Sequence, residues 1–379
     1  MRYCPYCMQP ADEGNFCPHC GGDLNWEAGD TQLPVGTELV GTLHTYRIGA
    51  ARGQGGFGVT YAALEQERKI KVAIKEYFPM SYAFRNPDHI VSPKPGSENG
   101  FRVGYDNFCK EARRLASVKP LPSVVRVWDC FQTNGTAYLV MDFLDGTPLH
   151  KKMKEMGGVI PAQDILPRLS PLIEDLSELH REGIIHRDIS PDNILWMEDG
   201  TLKLIDFGSA RSMDSDRSMT IFLKHGFAPV EQYRTRGQGT YTDVYALSAT
   251  IYYVLTGQLP PSAVNRLEND TLAPPTSYGA ALSPEEEQAL IRGLEVQPKD
   301  RIQTMEEFQR ELIRTPPVSP DTIRKQEIHA DEPEQEETAV YYEEEKKRPT
   351  KNKNGRKLVL GLIAAAAVIV IVILLSRIL

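Results

Sequence analysis

The chain has no excess of positive charge to offer a polyanion. Its 43 lysines and arginines stand against 51 aspartates and glutamates, a formal net charge of −8. That composition gives no footprint for nucleic acid, and none is expected as a partner. Nor does the N-terminus carry the apolar core of a secretory signal, which places its cysteines in a reducing cytoplasm. Cysteine is sparse beyond that point: of six, only Cys109 and Cys130 lie past the first twenty residues, and they read as small apolar side chains. With 41% hydrophobic and 25% charged residues over 379 positions, there is material for a large two-lobed domain with its own cores and one small module.

The N-terminus does hold four cysteines in two pairs, "CPYC" (Cys4, Cys7) and "CPHC" (Cys17, Cys20). Each CxxC turns two thiolates toward one point. Two such knuckles complete a tetrahedral four-sulfur site, the donor set of structural zinc, with a disulfide pair or redox use as the competing reading. Residues 1–24 are too few to bury a stabilising core, so the metal is expected to provide most of their folding free energy. His19, inside the second knuckle, reads as a spectator. A site closed by four cysteines is structural and not catalytic, and a protein partner is the reading for its surface. A polar stretch, residues 25–38, follows.

At the other end "LVLGLIAAAAVIVIVILL", residues 358–375, is 18 residues without a polar interruption, close to the least that a membrane-crossing helix needs. It lacks the polar stripe of a buried soluble helix. The preceding "KKRPTKNKNGRK" carries seven basic and no acidic side chains, and by the positive-inside tendency it stays cytoplasmic. A single-pass anchor in the cell (inner) membrane is expected, with the body of the chain in the cytoplasm. Four residues follow the run, and no external sensor is expected. Gly361 and Ala365 have the spacing of a small-residue dimer face; among so many alanines a lipid-facing role reads better, and a homodimer stays open. Residues 315–345 hold ten acidic and two basic side chains with prolines and few apolar groups, the composition of a solvated linker.

The chemistry lies between. "GQGGFGVTYAA" places Gly53, Gly55 and Gly58 at GxGxxG spacing. Glycines let backbone N–H groups approach phosphate oxygens, with Phe57 at the tip to cover them. A dinucleotide turn shares that spacing. The following "KVAIK" separates the two readings, because it alternates like a strand and ends in Lys75 where a dinucleotide site wants a helix and then an acidic residue. Lys75 needs a carboxylate to hold it against the α- and β-phosphates, and the helical "FCKEARRLASV" presents Glu111; a solvated helix charge is the plainer alternative for Glu111. The polar excursion between them, residues 77–104, has no legible role. "YLVMDFLDGTPL" reads as a buried strand entering a turn that lines an adenine pocket, with Met141 at the back and the Asp142–Leu144 backbone along the base edge. "HRDISPDNIL" and "DFG" then supply Asp188 to accept a hydroxyl proton, and Asn193 and Asp206 to hold magnesium or manganese.

From about Leu39 to Arg314 the chain resembles a eukaryotic-like (Hanks-type) serine/threonine protein kinase of the bacterial kind. The resemblance implies an α+β, bilobal protein-kinase fold over residues 39–314. Around it would lie a zinc ribbon (1–24), a linker (25–38), an acidic then basic disordered linker (315–357) and a transmembrane helix (358–375). It extends through "GFAPVEQY", "TDVYALSATIYYVLTG" and "PKDR", and it implies that Glu231 pairs with Arg301 to brace the C-terminal lobe while Asp243 holds the catalytic loop. There are departures. Thr60 stands where the family usually has valine, and the activation segment ends in APVE, one residue longer. The most important is Ser190, at the place of a lysine that in the wider family helps hold the transferred phosphate and touches a threonine of the activation segment. Aligned back from Glu231, the place of that threonine falls on Lys224. The two residues are read as exchanged, with Lys224 bringing its cation to the γ-phosphate and Ser190 receiving it; a solvated loop charge is the rival reading of Lys224.

The function this implies is ATP-dependent transfer of the γ-phosphate to serine or threonine hydroxyls of proteins, the chain itself included. The alternatives are a pseudokinase scaffold and a kinase of small molecules. Retention of Lys75, Asp188, Asn193 and Asp206 argues against the first, and the APVE and PKDR segments favour protein substrates over the second. Ser212, Ser215, Ser218 and Thr220 are candidate phosphorylation sites, and Arg187 is a candidate partner for a phosphate there.

Overall fold

The computed structural model describes residues 2–11, 14–207, 224–233 and 237–313. Outside the described residues lie Ser212, Ser215, Ser218, Thr220, Gly208 of the DFG triplet, the linker 315–357 and the apolar segment 358–375. Among the described residues no helix is long and apolar enough to cross a membrane.

Period-two sequence builds the first lobe. Strands β1 (Glu38–Val40), β2 (Thr45–Gly55), β3 (Gly58–Glu65), β4 (Ile70–Tyr77), β7 (Val127–Thr133) and β8 (Thr136–Asp142) form an antiparallel sheet in the order β1-β2-β3-β4-β8-β7. Alternation along β4 puts Val72, Ile74 and Glu76 on one face and Ala73 and Lys75 on the other. Helix α1 (Glu98–Ser117) buries Phe101, Phe108, Ala112 and Leu115 at helical spacing, with Phe101 and Phe108 against the Tyr77 ring.

The excursion before α1 contains a hairpin of β5 (Ala83–Arg85) and β6 (Val91–Pro93). Its purpose is visible at Glu76, whose carboxylate is fully buried. Tyr61 donates to it at 2.9 Å and Tyr138 at 2.8 Å, and Arg85 of the hairpin supplies the countercharge. Without that cation the buried carboxylate would be strongly destabilising.

The second lobe is helical: α2 (Leu149–Glu155), α3 (Ala162–Arg181), α4 (Thr240–Thr256), α5 (Ala263–Glu268), α6 (Pro284–Gly293) and α7 (Met305–Leu312). Helix α4 is buried on nearly every side and runs through the middle of the lobe, as its apolar sequence requires. It stops at Gly257, whose φ of 69° is the left-handed turn glycine tolerates best. A reciprocal Ser283–Glu286 cap opens α6. A small sheet, ordered β11 (Leu202–Leu204), β10 (Ile194–Trp196), β9 (Thr147–Pro148), flanks the catalytic loop.

Candidate active site

Between the lobes opens a cavity of about 710 Å³. The Gly53–Gly58 turn roofs it together with Phe57, Thr60 and Ala73; Met141, Asp142 and Leu144 line its inner edge, and Lys75, Asp188 and Asp206 lie at its far end. The glycines divide into two kinds. A Cβ on Gly53 or Gly55 would meet nothing within 4 Å, so both leave open room beneath the turn. On Gly58 it would lie 2.3 Å from the Glu76 carbonyl oxygen, so that glycine lets β3 and β4 close on each other. The Asp142 carboxylate accepts from Trp128 Nε1 at 2.6 Å, which fixes the strand end beside the cavity.

At the far end the Lys75 ammonium lies 3.1 Å from Asp206 Oδ1. Among the described residues Asp206 is the carboxylate within 4 Å of that ammonium; the expected Lys75–Glu111 pair is not formed, and Glu111 lies half-buried on α1. Asp206 reaches the ammonium from the turn after β11. Burial by itself would raise the Asp206 carboxyl, but Lys75, His186 and Lys224 together hold it below the usual aspartate range. Its backbone is left-handed, with φ of 58°, the kind of strained conformation that persists only where the surroundings over-determine it.

The catalytic loop is built around a second left-handed residue, Arg187, with φ of 66°. That turn lets the backbone N–H groups of His186 and Arg187 both donate to Asp243, at 2.7 and 2.8 Å, and His180 meets the same carboxylate at 2.9 Å. Burial tends to raise the Asp243 carboxyl, and these donors bring it below its ordinary value. His186 is buried against Phe207, with its Nε2 3.1 Å from the Ile205 carbonyl oxygen. Asn193 Nδ2 donates to the Asp188 carbonyl at 2.8 Å and to Asp188 Oδ2 at 2.9 Å, which orients the aspartate. Because the amide nitrogen is spent there, the amide oxygen is the atom left for a cation.

Lys224 and Ser190 are in contact. The ammonium donates to Ser190 Oγ at 2.6 Å and lies 4.0 Å from Asp188 Oδ1 and 3.4 Å from Asp192 Oδ2. Lys224 thus brings a cation beside Asp188. Two residues after Pro229, Glu231 accepts from Arg301 at 2.7 Å, with both side chains buried. Next to it Gln232 donates to the Arg187 carbonyl at 2.7 Å, tying the end of the activation segment to the catalytic loop.

The protein kinase domain model matches residues 46–313. The chain belongs to the protein kinase domain family. Among curated proteins it is similar to serine/threonine-protein kinase B of Synechocystis sp., 29% identical over 279 residues that make up 69% of this chain and 43% of that one. Serine/threonine-protein kinase PknB of Mycolicibacterium smegmatis is 31% identical over 226 residues, 55% of this chain and 36% of that one. The chain thus spans less than half the length of these relatives. Among solved structures, the PpkA-294 apo form superimposes with a TM-score of 0.66 at 37% identity, covering 74% of this chain and 99% of that one. The Mycobacterium tuberculosis PknI kinase domain superimposes at 0.55 and 21% identity over 74% of this chain and 98% of that one, and shows the shared fold alone.

The kinase domain places one further group in the cavity lining, Arg52, and two more beside residues of the site, Lys71 and Asp192, that the sequence did not single out. Arg52 lines the roof, with its guanidinium 5.9 Å from the Phe143 ring. Lys71 stacks on Phe143 at 3.5 Å. Asp192 shares Lys224 with Ser190 and lies 2.8 Å from His150 Nδ1. Only Asp192 carried a signal, its place within "HRDISPDN".

N-terminal to the kinase domain, Cys4 Sγ lies 3.6 Å from Cys20 Sγ, Cys7 Sγ lies 3.6 Å from Cys17 Sγ, and all four sulfurs fall within 4.8 Å of one another. Four thiolates about 2.3 Å from one zinc would stand about 3.8 Å apart. None is in a disulfide. The N–H groups of Tyr6 and His19 point at the Cys4 and Cys17 sulfurs, both at 3.4 Å. Burial raises the Cys4 and Cys7 thiols; it works against the Cys17 thiolate too, but there the His19 and Cys20 N–H groups and hydrogen bonds from Cys4 and Cys7 bring the thiol down to about 6. This donor set fits a tetrahedral divalent cation.

Proposed function

We propose that the protein is an ATP-dependent serine/threonine protein kinase, held at the cell (inner) membrane by residues 358–375 with its catalytic body in the cytoplasm. The observation that carries the catalytic part is the meeting of Lys75, Asp188, Asn193, Asp206 and Lys224 at one end of a glycine-roofed cavity. Lys75 steadies the α- and β-phosphates, and Asp188, oriented by Asn193, accepts the proton of the attacking hydroxyl. Asp206 and the Asn193 amide oxygen would hold magnesium or manganese, which would supply positive charge to the phosphates when bound. Lys224 adds a cation where charge develops on the γ-phosphate, with Ser190 holding it in place. The buried Glu231–Arg301 brace supports a C-terminal lobe that docks protein substrates, the chain itself among them.

We read the four-cysteine module as a zinc ribbon, supported by the sulfur spacing and the N–H donors to sulfur. The anchor rests on the uninterrupted apolar run and the basic block before it. Label from γ-labelled ATP is expected in phosphoserine and phosphothreonine of a general protein substrate; phosphotyrosine contradicts the specificity. Removal of residues 358–375 is expected to move the protein from the membrane pellet to the supernatant, and a protein that stays in the pellet contradicts the anchor.

A further inference from the structure

The module and the linker behind it embrace the hairpin that carries the glycine-rich turn. Met8 is buried against Ala62 and Leu64 of β3, beside Phe143. Alternation puts Ala62 and Leu64 on the same face as Thr60, which lines the nucleotide cavity. On the opposite face Tyr61 donates nothing to solvent: its hydroxyl accepts the Leu33 N–H at 3.0 Å while donating to Glu76. The N-terminal segment therefore touches both faces of β3, the first knuckle on one and the linker on the other.

The contacts enter the strand's own hydrogen bonding. The β2–β3 register breaks between Ile48 and Ala51 and again between Ala51 and Gly53. Within that bulge the Ala50 N–H donates to the Pro5 carbonyl at 2.7 Å, so a backbone group of the knuckle satisfies a donor of β2. The approach is close enough to demand glycine: a Cβ on Gly49 would lie 2.4 Å from the Pro5 oxygen and 2.6 Å from Met8 Sδ. Nearer the tip, Arg52 has its guanidinium 5.9 Å from the Tyr6 ring, between Cys4 and Cys7. Gln54 donates to Thr31 Oγ1 at 2.8 Å and accepts from Gln32 at 2.8 Å.

The module's own core is Cys4, Ala11, Cys17 and Leu24, too little to hold its shape without a crosslink. We propose that this module is a metal-dependent positioning device for the glycine-rich turn, so that occupancy of the four-cysteine site and affinity for nucleotide are linked. The proposal rests on the zinc reading above. Linkage of two binding sites is reciprocal, so nucleotide must also retain the metal.

The test uses the full chain, with zinc measured by metal analysis and nucleotide affinity by a fluorescent ATP analogue with magnesium. Stripping zinc with a chelator is expected to raise the nucleotide Kd about fivefold or more, reversibly, and saturating nucleotide is expected to slow zinc transfer to a chromophoric chelator. Met8→Glu keeps all four cysteines but undocks the knuckle; it is expected to bind one zinc, to bind nucleotide more weakly, and to release zinc at a rate indifferent to nucleotide. Should the stripped chain unfold as a whole, Met8→Glu decides alone: zinc bound with wild-type nucleotide affinity overturns the proposal. Zinc bound one per chain, with nucleotide affinity unchanged on its removal, also overturns the linkage while leaving the zinc reading intact. A chain that takes up no zinc overturns the zinc reading, and the linkage with it.

Discussion

Lys224 reaches the catalytic aspartate from a different segment than the lysine of the wider family would, and the charge matters through where it sits. Lys224→Met is expected to lower the single-turnover rate of phosphotransfer about 100-fold or more while nucleotide affinity changes little. The double variant Ser190→Lys with Lys224→Thr moves the ammonium to the other side of the same contact and is expected to recover much of that loss. A Lys224→Met enzyme of nearly normal rate contradicts the role. His186, Asp206 and Asp243 also set the response to acid. Burial holds the His186 imidazole below its ordinary 6.5 even though Asp243 and Asp188 pull it upward. The unfolded chain therefore binds this proton more readily, and stability rises with pH through the window that ends at 6.5. Asp206 and Asp243, held below 3.8, contribute stability that is complete above 3.8 and lost as pH falls through their folded values. Urea titrations are expected to show unfolding free energy declining below pH 6.5 and again below 3.8, and a flat profile between those values contradicts the buried neutral histidine.

At the scale of elements, Gly55 and Gly58 share a motif and differ in duty. Gly58→Ala forces β3 away from the β4 backbone, so it is expected to lower the melting temperature; Gly55→Ala has open space and is expected to raise KM for ATP with little change in melting. Equal melting temperatures contradict that division. Glu231→Ala leaves the fully buried Arg301 guanidinium without its carboxylate and is expected to cost about 3–5 kcal/mol in denaturant unfolding. The strand of "KVAIK", the helix of "FCKEARRLASV" and the residues of "HRDISPDN" were legible in the sequence because catalysis and periodicity both constrain their spacing. The 77–104 excursion was not, since its purpose depends on Arg85 meeting Glu76 across a tertiary contact that no local pattern encodes. The contact of Lys75 with Asp206 was not legible for a related reason: spacing presents Glu111 to the lysine, and it does not say that Asp206 also reaches that ammonium. The contact of Lys224 with Ser190 was readable only because both stood at places where the family has something else.

In the whole molecule one lobe supplies the roof, the other supplies the aspartates and the activation segment, and the chain's chemistry depends on their meeting at the cavity. Among the described residues Asn193 orients Asp188 and Lys224 approaches it. The most direct measurement is transfer of label from γ-labelled ATP by the full chain with magnesium, beside an Asp188→Asn variant checked for equal nucleotide binding. Label on protein from the wild type and about a thousandfold less or none from the variant is the result this account expects. Equal labelling by both, or no labelling by a wild type that binds nucleotide, would contradict it.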